Sequence, residues 1–130
     1  MKKAIQLLMI TMIMLPVISF AQNAKSVWPE MKTFHSFMAA TFHPADEGNF
    51  APLKEKADSL LIAAKSWQAS PIPANYKPVE TKATLKKLVA QCEAIKKNVT
   101  AKASDEILKK MISEAHETFH TIMGKCRKED

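Results

Sequence analysis

Glycine is almost absent from this 130-residue chain, which has only two, and tyrosine occurs once. The seven prolines cluster outside the segments of periodic hydrophobicity. Sheet proteins with tight turns rely on glycine, so this composition favours a helical bundle over a sheet fold. A glycine-rich phosphate-binding loop is also missing.

Catalytic patterns are missing as well, and we expect no enzymatic activity. No nucleophile, base and acid occur at a spacing typical of an active site. One Glu-x-x-His unit is present at Glu117-Thr118-Phe119-His120, whereas di-iron bundles need this unit on two helices. Lysines recur in pairs mixed with acids, which indicates a solvated surface rather than a nucleic-acid patch.

The N-terminus has the pattern of a secretory signal peptide. Lys2 and Lys3 form a basic start, residues 4–20 are uncharged and mostly apolar, and cleavage is expected after Ala21. Residues 22–130 then form one periplasmic domain with 17 basic and 13 acidic residues, a net charge of +4. The apolar run is too short to be preferred as a membrane span, so no stable membrane insertion is expected after cleavage.

Four segments carry apolar residues at helical spacing and predict an all-α fold, an antiparallel up-down-up-down four-helix bundle. The predicted helices span about 26–43, 50–70, 79–99 and 104 onward. Pro44 is expected to end the first helix at His43, because proline disfavours helical geometry in the preceding residue. The predicted capping residues are Ser26, Asn49 and Ser104.

All four histidines fall in the first and last predicted helices and are the main candidates for a ligand site: His35, His43, His116 and His120. His116 and His120 are four residues apart, so they lie one turn apart on the same helix face, within reach of one metal ion. A helical wheel places all four on the same-signed flank of the apolar stripes. That flank faces either the seam between the two helices or the outside, depending on the hand of the bundle.

If the flank faces the seam, four imidazoles line one groove, which is an arrangement suited to a divalent metal. With the helix ends level, His35 lies nearest to His116. With a stagger of one turn, His43 pairs with His116 and His35 pairs with His120. We expect zinc, nickel or copper to bind His116 and His120 together with His35 or His43, for sensing, buffering or delivery. Four acids are near enough in sequence to orient an imidazole or complete the shell: Asp46, Glu47, Glu114 and Glu117.

The two cysteines are not expected to form a disulfide. In a level hairpin of the last two helices, Cys92 and Cys126 would be roughly 20 Å apart along the axis. Cys92 is predicted to be a small buried residue. Cys126 is predicted to be a thiol near the terminus, available for an intermolecular bond or as a soft metal ligand.

An exported four-helix bundle of this length, with a candidate axial ligand late in the last helix, resembles the periplasmic cytochromes c-prime and the related soluble b-type cytochrome. Covalent haem is excluded, because Gly124-Lys125-Cys126-Arg127 stands where c-prime proteins have Cys-x-x-Cys-His. The b-type relative implies non-covalent haem b held by Met31 and His120, for electron transfer or gas binding. His116 is an alternative to His120 as an axial ligand, and His35 is an alternative to Met31.

Residues 42–49 and 114–120 also resemble a family of small exported proteins of Bacteroidetes-type bacteria, which implies no particular activity. A ligand-free interaction or chaperone-like module is the third alternative. A periplasmic protein partner and a homodimer are open alternatives as well.

Overall fold

The computed structural model describes residues 28–129. The predicted signal peptide, its cleavage site and the capping residue Ser26 lie outside these residues. Residues 28–129 contain four α helices and no strand: α1 (Pro29–Asp46), α2 (Ala51–Ala69), α3 (Pro78–Thr100) and α4 (Asp105–Gly124). The all-α prediction is confirmed. None of these four helices is long and apolar enough to cross a membrane.

The helices follow one another around a bundle, in which each packs on the next and α4 packs on α1. Between α1 and α4, His35 lies against Phe119 and Phe42 lies against His116, so the two helices run in opposite directions. Two ion pairs show that α2 and α3 also run in opposite directions: Asp58 with Lys96, and Lys65 with Glu93. The predicted four-helix bundle is therefore confirmed.

Three aromatic rings fill the centre of the bundle. Phe34 of α1, Trp67 of α2 and Phe119 of α4 are buried, and their ring centroids are 5.3 to 5.8 Å apart. Each such aromatic pair adds about 0.5–1.5 kcal/mol beyond the area that it buries. Because the three rings come from three helices, they fix the axial position of α1 relative to α4.

The prediction that α1 ends at His43 is wrong, since the helix continues through Pro44 to Asp46. Proline lacks the N–H that would donate to the carbonyl of Ala40, and its ring crowds that carbonyl, so one helical hydrogen bond is lost in the last turn. Ala45 is completely buried. Burial of Ala45 in the core stabilises the extra turn. This stabilisation is larger than the cost of helical geometry at His43, the residue before proline.

The start of α1 is also predicted wrongly, since the helix begins at Pro29 with Trp28 in the capping position, about three residues after the predicted start at Ser26. The ends of α2 and α3 and the start of α4 lie within about one residue of the predicted ones. Pro78 begins α3, where the missing N–H of proline costs nothing. Ser104 caps α4 as predicted, because its Oγ accepts a hydrogen bond from the N–H of Ile107 at 3.3 Å. Asn49 accepts one from the N–H of Ala51 at 3.2 Å, although Phe50 occupies the capping position itself.

The α2–α3 connection packs against the C-terminal segment at one end of the bundle. The N–H of Lys77 donates to the carbonyl of Cys126 at 2.7 Å, and the N–H of Lys128 donates to the carbonyl of Asn75 at 2.8 Å. Tyr76, between these two bonds, is buried, and its ring centroid lies 5.1 Å from that of Trp28. The start of α1, the connection and the C-terminal segment therefore meet at Tyr76.

Both cysteines are free and buried, so the prediction of no disulfide is confirmed. Burial raises the pKa of the Cys92 thiol to about 12. The prediction of an accessible Cys126 is wrong, because this residue is 2% exposed and its thiol donates to the hydroxyl of Thr84 at 3.7 Å. The C-terminal segment covers it.

Candidate metal centre

The histidines lie along the seam between α1 and α4. The imidazole of His116 on α4 stacks on the ring of Phe42 on α1, with 3.8 Å between centroids. The imidazole of His35 on α1 stacks on the ring of Phe119 on α4, with 5.1 Å between centroids. Of the two flank orientations that the sequence left open, the structure therefore has the one that faces the seam.

His116 and His120 are in direct contact. Their Nε2 atoms are 3.1 Å apart, and their ring planes are nearly perpendicular at 85°. At this distance one imidazole donates an N–H and the other accepts it, so at least one ring is neutral. Two nitrogens bound to one tetrahedral zinc are about 3.3 Å apart, given bonds of about 2.0–2.1 Å. To bind one ion, the pair has to open by a few tenths of an ångström, and the donating ring has to carry its proton on Nδ1 instead, so that both Nε2 lone pairs can turn toward the ion.

His43 and His35 are each separated from this pair by a phenyl ring. Phe42 lies between His43 and His116, with centroid distances of 5.4 and 3.8 Å. On the other side, Phe119 lies between His120 and His35, with centroid distances of 5.7 and 5.1 Å. This order along the seam matches the staggered alternative, in which His43 accompanies His116 and His35 accompanies His120.

The two phenyl rings explain why the four imidazoles do not converge on one point. Among residues 28–129, no three His, Cys, Asp or Glu side chains are arranged to hold one ion. The structure thus brings together His116 and His120, and it places His35 and His43 in the same seam but outside ligand distance of the pair.

Electrostatics keep His116 in the form that binds metals. Burial lowers its pKa below the ordinary 6.5, and so do the charges of His120, His43 and His35, in that order. The carboxylate of Asp46 acts in the opposite direction. An imidazole must be neutral to offer a lone pair to an ion, so this lowered pKa favours metal binding near neutral pH.

Residues 33–53 and 111–124, which contain all four histidines, have no lysine or arginine. The same two segments contain four acids: Asp46, Glu47, Glu114 and Glu117. The many lysines of this basic chain lie elsewhere. Of these acids, Asp46 acts on His116, whereas Glu114 and Glu117 line a cavity toward α3. With neutral imidazoles, Asp46 therefore favours a cation beside the pair although the chain as a whole is positively charged.

Residues 116–120 also read His-Glu-x-x-His, a pattern not used in the prediction above, in which zinc proteases use two histidines as ligands and the glutamate as a base. Here Glu117 lines a cavity of about 240 Å³ with Lys87 and Gln91 of α3. The histidines face α1 instead. A base on the α3 side cannot activate water on an ion in the α1 seam, so this geometry does not support hydrolysis, and the lack of enzymatic activity stays a prediction.

The contacts of Phe42 and Phe119 with the histidines were not predicted either, although the sequence carries a signal for them. Three of the four histidines directly follow a phenylalanine, at Phe34-His35, Phe42-His43 and Phe119-His120. Adjacent helical residues point about 100° apart, so a phenylalanine turned toward the core places the next histidine at the seam. The repeated pair therefore indicates imidazoles packed against phenyl rings.

The residues named for haem b do not fit that group. The sulfur of Met31 accepts a hydrogen bond from the Tyr76 hydroxyl at 3.6 Å, while Nε2 of His120 contacts His116. The space that a macrocycle would need inside the bundle is filled by Phe34, Trp67 and Phe119.

Comparisons with protein families, with curated proteins and with solved structures find no match. The resemblance to cytochrome bundles and to small exported proteins therefore stays a prediction. Function has to be inferred from the side chains of this chain alone.

Proposed function

We propose that this protein binds a divalent transition-metal ion, zinc, nickel or copper, through His116 and His120, and that it buffers, senses or delivers this ion in the periplasm. The observation that carries the proposal is the 3.1 Å distance between the two Nε2 atoms. Imidazole is a suitable ligand for all three metals, so the pair alone does not select one of them.

The distance favours some coordination geometries over others. A linear two-coordinate ion would hold its two nitrogens about 4 Å apart, whereas tetrahedral or tetragonal coordination holds adjacent nitrogens about 3 Å apart. The observed separation is close to the second value. A four-coordinate divalent ion therefore fits the pair better than linear monovalent copper does.

Two protein ligands suit exchange better than permanent storage. Structural zinc sites use four protein ligands and are closed, whereas sites with open positions exchange water or other ligands. His120 is exposed and His116 is half-buried, so an ion on the pair is accessible from solvent. These properties support buffering, sensing or delivery rather than a role of the ion in stabilising the fold.

Absorption spectroscopy and elemental analysis test the proposal on the full chain, exported with its own N-terminus and purified without chelator or affinity tag. We expect no Soret band and a bound divalent metal, which is lost in the double variant His116→Gln with His120→Gln. The matched control, His35→Gln with His43→Gln, also removes two histidines from the seam and should retain the metal.

A thermal unfolding series with added zinc, nickel or copper completes the test, because a ligand that binds only the folded chain raises its melting temperature. A Soret band would establish the haem alternative instead. A colourless, metal-free protein whose melting temperature no ion changes would contradict both ligand hypotheses and favour an interaction module.

A further inference from the structure

We propose that two copies of this chain share one ion, each copy providing His116 and His120, so that four imidazoles complete a tetrahedral site on a two-fold axis. This inference rests on the proposed function, since it names the partner of the same two histidines. It turns an incomplete site on one chain into a complete site between two.

One chain provides too few ligands for a tetrahedral ion. A tetrahedral ion takes four, and His116 and His120 provide two. Phe42 and Phe119 keep His43 and His35 away from the pair. Within the described part of the chain, no third histidine, cysteine, aspartate or glutamate joins them. The missing ligands must come from solvent or from another molecule.

Short residues lie one turn before and one turn after the pair on α4. Ser113 precedes His116 by three residues, and Gly124 follows His120 by four, so both lie on the same face of α4 as the pair. A Cβ atom added at Gly124 would have nothing within 4 Å, which means that the space beside Gly124, one turn beyond His120, is open. On α1, Ala39 lies between His35 and Phe42 at the seam. A second copy can therefore approach closely.

The charge of this surface also permits a second copy to approach. In a two-fold contact the same patch meets itself, so every charge on the patch faces its own copy. A patch with lysines would repel itself, but residues 33–53 and 111–124 have no lysine or arginine. Asp46, the acid that acts on His116, would face its own copy, and a divalent cation between the copies offsets that repulsion.

Symmetry and coordination agree. A tetrahedral site has a two-fold axis that exchanges one pair of its ligands for the other pair. Each chain provides one such pair, the Nε2 atoms of His116 and His120, which are 3.1 Å apart. Because the ion supplies the contact, the dimer is expected to depend on metal. Without metal, the chain is expected to be a monomer.

Sedimentation velocity combined with zinc titration calorimetry tests the inference on the mature chain. We expect the mass to double on addition of zinc, a stoichiometry of one zinc per two chains, and reversal by chelator. His116→Gln should abolish both zinc binding and the change in mass. Ser113→Gln with Gly124→Gln leaves both ligands in place but obstructs the approach of a second copy, so this variant should bind zinc at least tenfold more weakly and stay a monomer.

The outcomes separate the inference from the proposed function. One zinc per chain with an unchanged mass would overturn the shared site and leave the proposed function intact. A tenfold loss of zinc affinity in a monomer that carries Asp46→Asn would do the same, because Asp46 of the same chain would then be a ligand in place of the second copy. A dimer of equal strength with and without zinc would also contradict the inference. No zinc, nickel or copper binding at all would overturn both proposals.

Discussion

The imidazole of His116 lies parallel to the phenyl ring of Phe42, with 3.8 Å between the ring centroids and 7° between the ring planes. The two rings come from different helices, so packing between α4 and α1 determines the orientation of the imidazole. A ligand that is already held in one orientation loses less conformational entropy when it binds an ion. Phe42 is therefore expected to matter for metal binding although it offers no ligand atom.

Replacing Phe42 with leucine should weaken zinc binding roughly tenfold, because loss of a residue that orients a metal ligand typically costs about 10–100-fold in affinity. Titration calorimetry measures this effect. Phe37→Leu is the matched control, since Phe37 is also a half-buried phenylalanine of α1 that packs on the core. An equal loss of affinity in both variants would show that general destabilisation, not the orientation of His116, is responsible.

The metal-free protein should lose stability as the pH falls below 6.5. Burial and the neighbouring histidines lower the pKa of His116 in the folded chain, so the unfolded chain binds more protons in this range. The free energy of unfolding is therefore highest above pH 6.5 and decreases as the pH falls through the lowered pKa.

Urea unfolding in the presence of chelator, between about pH 5 and 8, measures this dependence around the ordinary range of histidine. His116→Gln should make the decrease smaller, because the titrating group is gone. Asp46→Asn should make it larger, because Asp46 is the one charge that raises the pKa of His116. Identical pH profiles for the three proteins would contradict this explanation.

The ring of Phe34 should be among the most important side chains for stability. It is completely buried and contacts the rings of Trp67 and Phe119. Phe34→Ala is expected to lower the free energy of unfolding by about 3–5 kcal/mol, the usual cost of such a cavity. Urea unfolding checks this value. The control Ile62→Ala changes a side chain that is 60% exposed and should alter it by less than about 0.5 kcal/mol.

Neither cysteine should react quickly with a thiol reagent in the folded protein. Burial raises the pKa of Cys92 to about 12, and its side chain is inside the bundle, so labelling requires global unfolding. Cys126 lies near the end of the chain, held by its contact with Thr84 and by two hydrogen bonds between residues 75–77 and 126–128, which open locally at a lower cost. Mass spectrometry over time should find Cys126 labelled first. Rapid labelling of Cys92 would mean that the core is more open than described.

The helices were predictable because local and tertiary preferences agree along most of the chain. The hydrophobic spacing of α2 and α3 predicted their ends to about one residue, and the hydroxyl of Ser104 marked the start of α4. The prediction failed at Pro44, where the two preferences disagree. A proline rule considers only neighbouring residues, and it cannot include the burial of Ala45 against other helices.

The histidine pair was predictable, but its surroundings were not. Four-residue spacing on one helix is sufficient to bring His116 and His120 together. Whether their flank faces α1 depends on the hand of the bundle, which apolar periodicity does not encode. The positions of Phe42 and Phe119 between imidazoles depend on the axial stagger of α1 and α4, and the packing of Phe34 and Trp67 determines that stagger.

Tyr76 is contacted from both ends of the described chain, by the ring of Trp28 and by an isolated bridge to Arg127. Residues 28 and 127 therefore both lie next to Tyr76, at the same end of the bundle. Joining them with a short flexible linker, and opening the chain at the exposed turn of Lys102, where φ is 57°, would give a circular permutant with all four helices in their present order around the bundle. Such a permutant would bring α4 before α1 in the chain, so that the histidine seam becomes a contact between consecutive helices.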